Sequence, residues 1–424
     1  MTSPASTGLS RSKLLIAMVG LPARGKSYVA RKLGRYLGWI GHATKCFNVG
    51  TYRRSLLGAG QPHAFFAPEN LDTLAAREHV AQVALDDALG WLAGEGTVAL
   101  YDATNTTRAR RAEIAQRVRA EGHELVFVES ICDDPAIIDA NVRATKLESP
   151  DYVGSDPDHA VHDFHARIGH YARVYETMDA GSEPDLPFVQ IVDLGREIRL
   201  HKIDGYLPAR IVYFLVNAHP TPHRVWLTRH GQSVHNLRER IGGDAPLTAR
   251  GEAYAKNLGA FAAARATEVG PIVVWTSTLH RAVQTGERIP FRPVQWKALD
   301  EIDAGVCDGM TYDEIARAMP DEYAARASDK FGYRYPRGES YQDVIERLEP
   351  VIIELERQRA PLLIVGHQAV LRVLYGYLMD RAPEICPRLD VPLHTVIELV
   401  RTVTGCDERR HPLGPAVDPP LLGD

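Results

Sequence analysis

Short, wholly apolar runs alternate with amphipathic stretches along most of the 424-residue chain. The runs LLIAMVG (14–20), TVALYDA (97–103), ELVFVESIC (124–132) and FVQIVDLG (188–195) are too short for typical helices and predict buried strands. Amphipathic stretches such as 27–37 and 74–92 fall between them. This βαβ rhythm predicts a mostly parallel sheet covered by helices. After IVYFLVNAH (211–219) comes a Pro-containing break, PTPHR (220–224). A second βα series follows, with VWLTRHG (225–231), PIVVWTS (271–277) and APLLIVGH (360–367). The pattern predicts two α/β domains, 1–222 and 223–404. The Pro/Gly-rich stretch 405–424 reads as a loose tail, and the polar start as a disordered lead-in.

Composition narrows the function classes. Hydrophobic residues make up 45% and charged residues 24%, which is globular rather than disordered. The net charge is −5, from 49 Lys+Arg against 54 Asp+Glu. That balance gives no basic footprint for nucleic acid and no polybasic membrane arm. An anionic ligand would need basic residues concentrated locally. No apolar run is long enough to span a bilayer, and no signal peptide is visible. Five scattered cysteines without CxxC or zinc spacing suggest a reduced, cytoplasmic protein.

In the first half, Gly20-Leu21-Pro22-Ala23-Arg24-Gly25-Lys26-Ser27 fits GxxxxGK[ST] between a predicted strand and a predicted helix. The backbone N–H groups around Gly20 and Gly25 would wrap nucleotide phosphates. Lys26 would neutralise the β/γ-phosphates, and Ser27 would ligate Mg²⁺. Asp102 ends the next strong strand, where a carboxylate faces the ligand crevice. It also reads as a helix cap. The polar run 104–107, followed by Arg108, Arg110 and Arg111, suits a phosphorylated sugar. Arg53, Arg54, Arg77, Lys146 and Arg167 recur at strand ends and loops, and composition does not choose among them.

In the second half, Arg229-His230-Gly231 sits at a predicted strand end, the signature place of histidine phosphatases and phosphoglycerate mutases. A neutral imidazole can attack phosphorus and hold the phosphoryl group, while Arg229 grips its oxygens. Arg281 follows another strand, Glu301 is a candidate general acid, and His367 follows a third strand. Two arginines, two histidines and a carboxylate suit an in-line phosphoryl transfer.

Longer strings carry a more specific signal. GLPARGKS, FNVGTYRR, YDATNTTR, SPDY, RHGQSVHN, RIGGD, RYPRGESYQDVIERLEPVI and CPRLDVPLHTV resemble the bifunctional 6-phosphofructo-2-kinase/fructose-2,6-bisphosphatase family, from about residue 14 to 406. The resemblance implies a P-loop kinase domain followed by a phosphoglycerate mutase-like phosphatase domain. It implies ATP and Mg²⁺ on Lys26 and Ser27, Asp102 near the attacking hydroxyl, and Lys146 at the moving phosphoryl group. Asn141 would border the adenine side, and Cys132 would line the kinase site. Arg53 or Arg54, Arg77, Thr104, Arg110, Arg167 and Tyr171 would hold fructose 6-phosphate. In the phosphatase half it implies His230 as phosphohistidine and Glu301 as proton donor, with His367 and Arg281 assisting. Asn236, Gly242, Tyr312, Arg326, Lys330, Tyr341, Gln368 and Arg372 would contact fructose 2,6-bisphosphate. Gln232 departs from the Glu often found there. The oligomeric state stays open, a homodimer included. The rival readings are a phosphatase whose P-loop domain only binds a regulatory nucleotide and a phosphoglycerate mutase with an extra domain.

Overall fold

A computed structural model describes residues 13–146, 149–218, 223–401 and 405–414, apart from the side chains of Thr145 and Lys146. The chain divides into two compact units, Met1–Pro220 and Thr221–Asp424.

The first unit contains β1 (Leu14–Val19), α1 (Lys26–Trp39), β2 (Thr44–Asn48), α2 (Val49–Leu57), α3 (Leu71–Ala93), β3 (Val98–Asp102), α4 (Arg108–Ala120), β4 (Glu124–Ile131), α5 (Pro135–Lys146), α6 (Pro157–Ala172), β5 (Phe188–Val192), β6 (Glu197–His201) and α7 (Tyr206–Asn217). Its sheet runs β2-β3-β1-β4-β5-β6, parallel except for β6. Every residue of β1 is buried, because helices cover both faces of a parallel sheet. That is why the run shows no polar alternation. On one face Leu15, Ala17 and Val19 pack with Tyr101, Phe127 and the apolar side of α3.

The second unit contains β7 (Arg224–Arg229), α8 (Val234–Leu237), α9 (Ala249–Val269), β8 (Val273–Thr276), α10 (His280–Gly286), β9 (Val294–Gln295), α11 (Tyr312–Ala318), α12 (Pro320–Ser328), α13 (Tyr341–Arg357), β10 (Leu362–Gly366), α14 (Gln368–Leu378), β11 (Thr395–Arg401) and β12 (Cys406–Pro412). The sheet order is β12-β11-β7-β10-β8-β9. The strands β7, β10, β8 and β9 are parallel, and β11 and β12 are added antiparallel. Trp226, Val274, Leu363, Val365 and Val396 meet Tyr254, Leu258 and Ala262 of α9 in one core.

The tail assignment needs correction. Residues 406–412 are not loose but form β12, paired with β11 from Thr395↔Pro412 to Arg401↔Cys406. Side-chain pairs rather than apolar content hold this strand. The Tyr375 hydroxyl donates to Glu408 at 2.7 Å, Arg410 pairs with Asp390 at 2.6 Å, and His411 bonds Glu398 at 2.7 Å. A sequence reading based on apolar runs passes over such a strand. Residues 1–12, 219–222 and 415–424 lie outside the described residues, so the lead-in, most of the predicted break and the end of the tail do too.

Candidate active sites

The first site forms where β1 runs into α1. Gly20 lies against β4 so closely that a Cβ there would sit 2.5 Å from the Ser130 carbonyl oxygen. No side chain caps α1, whose N-cap is Gly25 at φ 83°. Its first-turn N–H groups therefore suit an anion. Lys26 is buried and its Nζ donates to the Leu21 carbonyl at 2.6 Å. Ser27 follows at the start of the helix.

Neighbouring strands supply the other groups. Asp102, the last residue of β3, is buried and accepts a hydrogen bond from Asn48 Nδ2. Since β3 and β4 flank β1, the chain from Asp102 and the chain from Ile131 leave on either side of the loop. The Thr104 carbonyl accepts from Gly20 N–H at 2.9 Å, and Asn141 Nδ2 donates to the Ala23 carbonyl at 3.1 Å. Cys132 is buried near Arg24. Lys146 ends α5, and its side chain lies outside the described residues. A mostly apolar cleft opens beside Gly25, lined by Tyr28, Val29, Ile191, Leu215 and Ala218.

Five predicted sugar-phosphate ligands gather around Phe66 and Asp151. Arg53 pairs with Asp151 at 2.5 Å, and Arg54 and Arg167 approach the same carboxylate at 3.7 and 3.9 Å. Arg167 stacks over the Phe66 ring at 3.6 Å, with Tyr171 on the same ring at 6.1 Å. Arg77 donates to the Phe66 and Ala67 carbonyls. Burial would raise the Asp151 carboxyl, but hydrogen bonding and charge from Arg53, with Arg167, hold it below its ordinary value. Three guanidinium groups against one carboxylate leave about two positive charges for a phosphate dianion. Asp151 lies in the SPDY string but was not singled out in the sequence.

Two arginines from the polar run are tied to protein partners. Arg110 donates to the Tyr101 hydroxyl at 3.0 Å and to Glu113 at 2.8 Å. Arg111 is fully buried and grips Glu183 with two hydrogen bonds, at 2.8 and 2.7 Å. It also donates to the carbonyls of Asn105 and Glu176. Its expected role as a sugar-phosphate ligand is therefore replaced by that of a buried clamp. The spacing of charges could not reveal Glu183, 72 residues away.

The second site sits at the C-terminal ends of β7, β10 and β8. The register pairs Arg229 with Gly366, so His230 and His367 emerge side by side, with ring centroids 5.0 Å apart. His230 Nδ1 lies 2.7 Å from the Gly231 carbonyl, an acceptor, so Nδ1 carries the proton. Nε2 keeps its lone pair and accepts from Arg281 Nε at 3.1 Å. A Cβ at Gly231 would fall 2.4 Å from the Gly251 carbonyl oxygen, which excludes any larger residue after the nucleophile. Burial, then the charges of Arg281 and Arg229, hold the His230 imidazole well below its ordinary value. Burial and the same two arginines, with His230, do likewise for His367. Glu301 accepts from Ala369 N–H at 3.1 Å, at the start of α14. Arg229 donates to the Val391 carbonyl at 3.3 Å.

The predicted bisphosphate contacts come from several elements. Arg326 donates to the Tyr312 and Tyr335 hydroxyls at 2.7 and 2.8 Å. Arg372 donates to the Leu389 carbonyl at 2.7 Å, and with its amide oxygen turned inward Gln368 accepts from both Arg372 NH groups. Burial pushes the Tyr341 hydroxyl up to about 12, against the charge of Arg372. Lys330 is half-buried after α12. Asn236 closes the capping box of α8 with Ser233, and the Gly242 carbonyl meets His235. Gln232 does not face His230: its amide oxygen accepts from the Thr248 hydroxyl, the N-cap of α9, at 2.9 Å. Sequence reasoning missed Ser277, whose hydroxyl lies 2.6 Å from His367 Nε2, and Thr285, which accepts from Gly231 N–H at 3.0 Å. Their only signal was that each lies four residues from Arg281.

A phosphate-binding loop on one parallel sheet and a two-histidine, two-arginine centre on another define a P-loop kinase joined to a histidine phosphatase. Family models agree: 6-phosphofructo-2-kinase matches residues 2–222, and the histidine phosphatase superfamily (branch 1) matches 225–411. The chain belongs to the 6-phosphofructo-2-kinase/fructose-2,6-bisphosphatase family. It is 48% identical over 407 residues to a protein of that name from Arabidopsis thaliana, covering 94% of this chain and 54% of the relative. It is 47% identical over 394 residues to the Gallus gallus protein, covering 93% and 83%. The Homo sapiens 6-phosphofructo-2-kinase/fructose-2,6-bisphosphatase 4 is 48% identical, with 92% and 83% covered. The chain thus spans about half the length of the plant relative and most of the animal ones.

Proposed function

We propose that the chain makes fructose 2,6-bisphosphate from fructose 6-phosphate and ATP, and hydrolyses the 2-phosphate through a phosphohistidine at His230. In the kinase half, the uncapped start of α1 and Lys26 would hold the ATP phosphates, with the base in the apolar cleft beside Gly25 and Asn141 near the loop. Ser27 and the nearby carboxylate of Asp102 fit a hard, oxygen-ligated cation. Mg²⁺ bound with the nucleotide would offset charge on its phosphates. Asp102 would orient the sugar 2-hydroxyl and take its proton. Arg53, Arg54 and Arg167 would bind the 6-phosphate, with Arg77 and Tyr171 around Phe66. Thr104 and Arg110 are retained as sugar contacts, and Lys146 and Cys132 as kinase-site residues, on the resemblance alone.

In the phosphatase half, Nε2 of neutral His230 would attack phosphorus. The P–O2 bond breaks, and O2 takes a proton from Glu301. Arg229, Arg281 and His367 would hold the phosphoryl oxygens. Water then hydrolyses the phosphohistidine, with Glu301 now acting as base. The remaining predicted contacts, Asn236 to Arg372, are assigned to the sugar and its 6-phosphate. The observation that supports this reading is the buried, unprotonated Nε2 of His230, which accepts from Arg281.

Both reactions should be measured by coupled assay on one preparation, beside a brief incubation with substrate labelled at the 2-phosphate. Both turnovers and acid-labile label on His230 are expected. Label on His367 would exchange the two histidines' roles, and lack of kinase turnover would favour a regulatory nucleotide site. A cytoplasmic setting is proposed on the scattered cysteine pattern of the sequence; among the described residues no helix is long and apolar enough to cross a membrane. Assembly as a homodimer is a separate proposal, to be checked by sedimentation.

A further inference from the structure

His367 and Ser277 are both fully buried, at the ends of adjacent parallel strands β10 and β8. Ser277 Oγ lies 2.6 Å from His367 Nε2. The same oxygen accepts the Leu279 N–H at 3.2 Å. Among the described residues its own hydroxyl proton has one acceptor within reach, the lone pair of His367 Nε2. A nitrogen that accepts cannot also carry a proton in the neutral ring, so the proton of His367 belongs on Nδ1. His367 Nδ1 has no hydrogen-bond partner among the described residues, although it is buried beside His230. An unsatisfied buried donor is costly, and in a catalytic centre it marks a place reserved for a ligand atom.

We infer that Ser277 is a positioning residue that fixes His367 as the Nδ1–H tautomer, so that Nδ1–H donates to an oxygen of the transferring phosphoryl group. This rests on the phosphatase reading above and assigns a residue and a tautomer that the resemblance does not. The two histidines then carry opposite roles from one protonation pattern. In each ring Nδ1 holds the hydrogen. His230 spends it on the Gly231 carbonyl and frees Nε2 to attack phosphorus. His367 spends Nε2 on Ser277 and frees Nδ1–H to bind oxygen. No proton moves through His367: as the N–P bond forms and the P–O2 bond breaks, the hydrogen bond strengthens with the charge on the phosphoryl oxygens. Had His367 presented a bare nitrogen instead, two lone pairs would face one anionic group.

The test uses the full-length protein with ¹⁵N-labelled histidine, without substrate, at neutral pH. The ring nitrogens of His367 are assigned from the signals lost in His367→Asn. Nδ1 should resonate as a protonated nitrogen and Nε2 as an unprotonated acceptor. Ser277→Ala should shift the ring toward the Nε2–H form and lower phosphatase kcat about tenfold or more, with KM within about twofold. Ser277→Thr, which retains the hydroxyl, should restore the wild-type tautomer. A wild-type spectrum with the proton on Nε2 overturns the inference, and needs no folded variant. An unchanged kcat in Ser277→Ala overturns it as well. Failure of the phosphatase reading would look different: wild type would then lack fructose 2,6-bisphosphate hydrolysis, whatever the tautomer.

Discussion

Arg111→Met separates a structural arginine from a substrate ligand. The Arg111 side chain is completely buried and that of Glu183 is 6% exposed. The guanidinium makes two hydrogen bonds to Glu183, at 2.8 and 2.7 Å, and donates to the carbonyls of Asn105 and Glu176 at 3.1 and 2.9 Å. Methionine removes all four and leaves a carboxylate buried without its cation. Breaking such a pair from one side typically costs about 3–5 kcal/mol. For a domain of this size that lowers Tm by about 6–20 °C. The assay is differential scanning calorimetry, with kinase KM for fructose 6-phosphate measured at low temperature on the folded fraction. Arg111→Met/Glu183→Met should regain part of the loss, because the orphaned carboxylate goes while the two carbonyls stay unpaired. A Tm within about 2 °C of wild type, together with a KM for fructose 6-phosphate raised more than about tenfold, would refute the clamp and restore Arg111 to the sugar-phosphate site.

Lys26→Met should cut kinase turnover by about 10²–10³, as loss of a preorganised charge at the phosphates does, and leave the phosphatase assay unaffected; survival within a factor of a few would remove the P-loop assignment. Glu301→Gln keeps an acceptor for Ala369 N–H but has no proton to give, so phosphoenzyme formation in rapid quench should slow by roughly 10²–10⁴. A burst at wild-type speed would assign the donor elsewhere. Because burial and two arginines hold His230 well below 6.5, the acidic limb of phosphatase kcat/KM belongs below that pH: activity is lost as pH falls and the imidazole gains a proton. Gln232→Glu adds a negative charge, which favours the imidazolium and moves that limb upward, but by less than about one unit, because the side chain rests on the N-terminus of α9. A larger rise would show that residue 232 faces the nucleophile, and a limb that moves down would show that a charge there does not tune His230.

Most strands buried on both faces were legible in the sequence because their signal is local and apolar, though β11 was not among the runs read as strands. Also legible were three groups at strand C-terminal ends, Asp102, His230 and His367, each of which closes an apolar run, whereas Ser277 after β8 was not. What escaped reading is held by partners distant in sequence. Asp151 acquires meaning only when Arg53 and Arg167 converge on it from other elements. Arg111 and Arg110 are one position apart from each other in the chain, yet one points into the core toward Glu183 and the other to Glu113 on its own helix. Helical rotation of about 100° per residue separates them, and a row of arginines does not announce which of them is buried. The strand β12 escaped because charged pairs rather than apolar residues fix it to β11 and α14.

Both sites obey one geometric rule, which accounts for the sequence distances between their parts. Parallel neighbours lie about 4.8 Å apart and end at the same side of the sheet. The ring separation of His230 and His367, 5.0 Å, is that spacing carried past the ends of β7 and β10. Ser277, the residue after β8 on the other side of β10, adds the next step. The P-loop leaves β1 between β3 and β4 by the same rule, which brings Asp102 to one side of it and Cys132 to the other. Residues more than a hundred positions apart thus become neighbours because their strands are neighbours, with no contact between them needed to draw them together. A centre built in this way inherits the rigidity of the sheet. That rigidity keeps two buried histidines beside the two arginines whose charges, after burial, hold their imidazoles below the ordinary value.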